Sequence, residues 1–187
     1  MQRPSGDFFE YLALDHKLQV DLPELERQFY SLSRRLHPDI YFHRSRQERE
    51  IAENAAARLN DAYRTLKDPV KRAEHLLDVL GIPRKRRDPR EPRAGNTPPE
   101  LVEEIFEIQM LLDDVRQGDK SAASGLAHAK AKFETLLQET DASLNACFAE
   151  WDRVRRPEKL REIATILDRR SYIEKALQDI VAALTDD

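Results

Sequence analysis

An all-α protein is the expectation for this chain of 187 residues, and three observations lead to it. Glycine and proline are scarce, at 5 and 10 copies, which disfavours the strand-and-turn architectures that use them freely. Apolar residues recur at helical spacing along most of the length. The prolines also cluster: Pro83, Pro89, Pro92, Pro98 and Pro99 fall in one stretch with Gly81 and Gly95, and the next proline is Pro157. That cluster separates an N-terminal part, 1–82, read as a helical hairpin with short flanking helices, from a C-terminal part, 98–187, read as a three-helix bundle. Residues 83–97 form a basic, proline-rich linker between them.

The first element is a short apolar opening, Phe8, Phe9, Leu12 and Leu14. Asp21, Pro23, Glu24 and Glu26 then mark a helix start enriched in early-turn acids. From there Leu25, Phe29, Leu32 and Leu36 share one helical face, with Arg27, Arg34 and Arg35 on the opposite side. This helix has to end near His37, because Pro38 disfavours the α region for the residue before it. A second long run carries Ile51, Ala55, Leu59, Ala62 and Leu66 and stops before Asp68 and Pro69. A third, with Ala73, Leu76, Leu77 and Leu80, closes at Gly81. The two long helices, joined by a loop over 37–47, predict an antiparallel hairpin whose tip presents His37, Pro38 and Asp39.

In the C-terminal part, Leu101, Ile105, Ile108, Leu112 and Val115 follow the spacing of a bundle seam. At about 100° per residue, Val102, Phe106 and Met110 fall on the other side of that helix, where polar residues belong. This second apolar stripe, bordered by Glu103, Glu107 and Asp114, is a candidate partner-binding face. A middle helix carries Leu126, Phe133, Leu136, Thr140, Leu144, Cys147, Trp151 and Val154, with Cys147 as a small core residue. The last, after Pro157, repeats Ile163, Ile166, Ile173, Leu177, Ile180 and Leu184. Arg170 intrudes on that seam, and Tyr172 points about 140° away from it.

Several functions are excluded. A net charge of −4 is not that of a sequence-blind nucleic-acid binder. A mean hydropathy of −0.70 and the lack of a long apolar run exclude a membrane span. One cysteine excludes an internal disulfide and a multi-cysteine metal site, and fits a reducing, cytoplasmic setting. The first residues hold no apolar or arginine-rich leader, so no targeting segment is expected. The charge divides unevenly: 13 basic and 14 acidic groups in 1–82, 6 and 2 in 83–97, 12 and 19 in 98–187.

The tripeptide at 37–39 is the sharpest local signal. Proline and aspartate are ordinary turn formers, but a chance match in a chain of this length is roughly a one-in-a-hundred event at average residue usage. It also ends a basic-faced helix and opens a loop to a second long helix. With the aromatic start Phe8-Phe9-Glu10-Tyr11-Leu12, the basic end Arg34-Arg35-Leu36, and Leu59-Asn60-Asp61-Ala62-Tyr63-Arg64-Thr65-Leu66-Lys67-Asp68-Pro69, residues 7–80 resemble a J-domain. The resemblance implies binding to a DnaK-type ATP-driven chaperone and stimulation of its ATPase through His37, Pro38 and Asp39. Ile40 departs from the lysine or arginine that many J-domains carry there. Arg27, Arg34 and Arg35 would steer the helix onto an acidic groove; a solvated face would carry the same charges, and the adjoining tripeptide decides for binding.

The wording Val70-Lys71-Arg72-Ala73-Glu74-His75-Leu76-Leu77, the short linker and the helical C-terminal part are similar to the HscB family of iron–sulfur co-chaperones. That resemblance implies a C-terminal domain that binds an IscU-type scaffold protein and delivers it to a DnaK/HscA-type chaperone. Its scaffold contacts carry over to Val102, Glu103, Phe106, Glu107, Met110, Asp114 and Tyr172, with Glu103 standing where an apolar residue is common and Met110 where an acid is common. Other readings are a J-protein for a different client and a non-chaperone helical adaptor. The run Arg84-Lys85-Arg86-Arg87 with Arg90 and Arg93, interrupted by prolines and without aromatics, reads as a solvated linker rather than a nucleic-acid or membrane patch. No catalytic site, cofactor or metal is expected, because no nucleophile stands beside His37 and no histidine pair has ligand spacing. A monomer is the expected state.

Overall fold

The computed structural model describes residues 6–41, 43–84, 98–119 and 121–185. Among them every regular element is helical: α1 (Phe8–Tyr11), α2 (Leu22–Arg35), α3 (Pro38–Tyr41), α4 (Arg46–Lys67), α5 (Pro69–Val79), a 3-10 turn (Pro99–Leu101), α6 (Val102–Arg116), α7 (Ala122–Val154) and α8 (Pro157–Thr185). The described residues divide into two compact units, one running through Ile82 and joined by Phe148–Arg156, the other taking the remainder. The chain passes from the first unit to the second after Ile82, and the packing adds to the first unit a segment the proline cluster does not reveal, Phe148–Arg156 with the end of α7.

In the first unit, α2 packs on α4 as an antiparallel pair. Tyr63, late in α4, stacks on Phe29 at 4.4 Å and donates its hydroxyl to Glu26, early in α2, at 3.2 Å. Leu25, Leu59, Ala62, Leu66, Ala73, Leu76 and Leu77 are buried with Phe9, Leu12 and Leu18, each large side chain contributing roughly 2 kcal/mol by leaving water. Ile51, which the spacing places on this stripe, is exposed, and Ala52 is buried in its stead.

The helix ends follow local chemistry. Asp7 caps α1, accepting the Phe9 amide at 2.9 Å. Ser45 and Glu48 form a reciprocal capping box at the start of α4. Asp68 caps α5 by accepting the amides of Val70 and Lys71 at 2.9 and 3.0 Å, with Pro69 at the first helical position. At the other end Gly81 adopts φ +68°, the Ile82 amide donates to Leu77 and the Gly81 amide to Asp78, a Schellman closure.

Four side chains tie this unit together. The Phe8 amide donates to His75 Nε2 at 3.0 Å while the two rings stack at 4.5 Å. Burial pushes the His75 pKa down, against the opposing pull of Asp7 and Asp78. Arg72 is buried and its Nη1 donates to the Leu66 carbonyl at 2.6 Å; burial lowers its pKa, with Asp152 and Asp68 opposing. Asp152, from the end of α7, accepts the amides of Leu18 and Gln19 at 2.9 and 2.7 Å, and Arg155 donates to the His16 carbonyl.

The second unit is built from α6, the earlier part of α7, and α8. Leu101, Ile108 and Leu112 meet Leu126 and Phe133 of α7 and Ile173, Ala176 and Ile180 of α8 in one buried cluster. Arg170 stays at the edge of this core by pairing with Asp141 at 2.7 Å and Glu174 at 3.0 Å. Burial works against its charge, but the two carboxylates outweigh it and raise the guanidinium pKa.

Candidate functional site

The hairpin tip is more ordered than a loop. After α2 ends at Arg35, Pro38 opens the single turn of α3; a proline that cannot continue one helix is well suited to begin the next. This corrects the expected loop over 37–47. The His37 carbonyl accepts the Ile40 amide at 3.0 Å, and the Tyr41 hydroxyl donates to the Arg35 carbonyl at 3.3 Å, so the turn is tied back to α2. His37 Nδ1 lies 3.4 Å from both the Asp39 amide nitrogen and Asp39 Oδ2. The first contact uses Nδ1 as an acceptor and the second as a donor, so the ring tautomer chooses between them. With Nδ1 accepting, Nε2–H remains a donor for a partner. Both side chains are exposed.

Arg34 and Arg35 lie exposed in the last turn of α2, where the helix dipole favours cations. Neither makes a side-chain hydrogen bond or ion pair among the described residues. Arg27 differs: it pairs with Glu24 on its own helix, and hydrogen bonds from Arg27 and Gln28 hold the Glu24 carboxyl below its ordinary pKa. Its charge is therefore partly answered before any partner arrives.

On α6 the two apolar stripes separate as their spacing requires. Ile108 and Leu112 are buried, whereas Val102, Phe106 and Met110 are 47%, 65% and 54% exposed. Glu103, Glu107 and Asp114 are exposed around them and form no ion pair among the described residues. Glu104 is turned aside into a 3.5 Å pair with Lys132. An apolar strip with an acidic rim suits a partner surface that is apolar at its centre and cationic at its edge.

Tyr172 does not join this face. It is 8% exposed and belongs to the buried cluster beneath α6, so its expected outward direction is corrected. Its own helix explains this: Ala164, Leu167 and Ala176 are buried beside Ile173 and Ile180, giving α8 a wider apolar face than the single seam inferred from its isoleucines, Leu177 and Leu184. Arg84 is also corrected. Its side chain is 7% exposed and its Nε sits 3.2 Å from Asp168, so the first residue of the basic run is paired rather than solvated. The rest of that run lies outside the described residues.

Sequence reasoning missed Asp152, whose partners lie more than a hundred residues away, and the Tyr41 tether. The capping box at Ser45 was readable as Ser-x-x-Glu. Among the described residues no group of three or more His, Cys, Asp or Glu could hold a metal ion, and no helix is long and apolar enough to cross a membrane.

The chain as a whole is similar to known proteins. The DnaJ domain family matches residues 7–75. A co-chaperone protein HscB homolog from Colwellia psychrerythraea is 35% identical over 118 residues, 63% of this chain and 65% of that one. A second from Vibrio vulnificus is 32% identical over 175 residues, 90% of this chain and 97% of its own length. Among solved structures, the chaperone HscB from Vibrio cholerae is similar with a TM-score of 0.66 at 26% identity, covering 97% of this chain and 99% of that one.

Proposed function

Because this chain belongs to the HscB family of J-domain co-chaperones, we propose that it holds an IscU-type iron–sulfur scaffold protein on α6 and brings it to a DnaK/HscA-type chaperone, whose ATPase the hairpin tip stimulates. The observation that carries this reading is the exposure of Phe106, with Val102 and Met110, on a helix whose other side is already core. Leaving a phenylalanine in water forgoes roughly 2 kcal/mol of burial, an arrangement that makes sense where a partner covers it.

The division of labour follows from the chemistry of each surface. At the tip, Arg34 and Arg35 attract an acidic chaperone groove, and Arg27 adds to this once Glu24 releases it. Pro38 fixes the backbone, so that His37 offers a ring N–H and Asp39 a carboxylate to the chaperone's hydrogen-bonding groups. The chain supplies contacts that shift the partner's conformational balance; the ATP chemistry belongs to the chaperone. On α6, Val102, Phe106 and Met110 supply apolar area, while Glu103, Glu107 and Asp114 orient a scaffold with a basic rim. Tyr172 acts from beneath, as packing that supports the helix. Residues 1–82 and 98–187 thus carry different tasks, with the end of α7 serving the fold of the first.

Titration calorimetry of the full chain with an IscU-type scaffold, wild type against Phe106→Ala, tests the reading. Truncation of a central aromatic should weaken binding by about 2 kcal/mol, roughly thirtyfold. Absence of heat with the wild-type chain, alongside intact stimulation of a DnaK-type ATPase, would turn the assignment to a J-protein with another client.

A further inference from the structure

We propose that Met110 is a peroxide-sensitive modification site, and that its conversion to the sulfoxide weakens docking of the scaffold on α6. This rests on the scaffold-binding reading of that face. The sequence holds two methionines, Met1 and Met110, and Met110 lies more than half exposed one turn beyond Phe106. The chain's one cysteine, Cys147, is buried. Reaction with peroxide follows access to the sulfur, so in the folded chain Met110 is oxidised ahead of Cys147.

The chemistry closes with hydrogen peroxide as the only co-reactant. A lone pair on Sδ attacks one peroxide oxygen, the O–O bond breaks and an S–O bond forms. The departing hydroxide takes the remaining proton and leaves as water. Sulfur loses two electrons and the peroxide gains them. The product replaces a flexible apolar side chain with a polar one that accepts hydrogen bonds.

Its place on α6 turns that change into a switch. The residues one helical turn away are Phe106, Glu107, Asp113 and Asp114. An aromatic ring and three carboxylates provide no hydrogen-bond donor, and nearby Arg116 is already paired with Asp113 at 3.0 Å. A sulfoxide oxygen therefore depends on water, and that water has to leave when an apolar partner docks. Glu103 and Glu107 are untouched by peroxide, so the loss is confined to one point of the strip.

The test uses the full chain and an IscU-type scaffold. Hydrogen peroxide is applied, peptide mass spectrometry locates the added oxygen, and calorimetry compares untreated, oxidised, and oxidised then sulfoxide-reductase-treated protein. Met110→Leu passes through the same treatment. We expect oxygen on Met110, an affinity reduced about tenfold, recovery after the reductase, and a Met110→Leu affinity that peroxide does not change. Unchanged affinity with the sulfoxide confirmed at Met110 overturns the inference, as does an equal peroxide-induced loss in Met110→Leu. An untreated chain that gives no heat overturns the docking reading and the inference with it.

Discussion

At the hairpin tip, polar groups stand in water and their geometry is held by backbone hydrogen bonds; on α6, apolar groups stand in water and their geometry is held by a regular helix. His37, Asp39, Arg34 and Arg35 offer direction and charge with little area. Val102, Phe106 and Met110 offer area with little direction, and leave orientation to the acids around them. The first kind of surface fits a brief, salt-sensitive encounter that alters a partner, the second a hold on a client. Changes to one should leave the chemistry of the other intact.

The sharpest way to break that contrast is His37→Gln. It should reduce stimulation of a DnaK-type ATPase more than tenfold, while scaffold binding stays as in the wild type. The fold should also hold, since an exposed substitution usually changes stability by less than about 0.5 kcal/mol. A variant that stimulates normally would remove the J-domain mechanism, and one that also loses the scaffold would dissolve the separation. The converse variant, Phe106→Ala, should lose the scaffold and retain stimulation in the scaffold's absence.

A smaller effect sharpens the boundary between the units. Asp152→Ala leaves the amides of Leu18 and Gln19 without their acceptor. Two lost bonds of this kind cost about 2 kcal/mol, which a urea titration followed in the N-terminal unit should register. An unchanged midpoint would mean that the end of α7 adds nothing to that unit.

The smallest expected effect is a pH dependence. His75 has a folded pKa below its ordinary value of 6.5, with Asp7, Asp78 and His16 facing it. On acidification the unfolded chain takes up this proton first. Stability is therefore complete above 6.5 and is lost as pH falls towards the folded value. Asp7 acts lower: burial opposes its ionisation, but His16 and the amides of Glu10 and Phe9 hold its pKa below 3.8, so its share is lost only beneath that point. In His75→Phe, unfolding midpoints between about pH 7 and 5 should flatten while the step at lower pH remains. An unaltered slope would rule out His75 as its source.

What the sequence made legible was local. Helical spacing in 101–115 separated the two stripes of α6, and Gly81 closes α5 in the left-handed conformation its position required. The tripeptide was found because its three residues are contiguous. What escaped reading depends on registers and distant partners. A single residue turns a helix by about 100°, enough to exchange Ile51 for Ala52 in the core. Pro38 was read as an end, although the same residue begins α3. Tyr172 looked outward because the seam was drawn through the isoleucines with Leu177 and Leu184, leaving out Ala176, which is buried. Arg84 looked solvated because Asp168 is far along the chain.

Asp152 also bears on inheritance. A gene segment ending near Ile82 would carry the whole hairpin tip to a new protein, yet would arrive without the carboxylate that receives Leu18 and Gln19. Shuffling such a segment as a cassette is thus penalised at birth. A segment that refills those two amides with a substitute acceptor would recover what the cut removes.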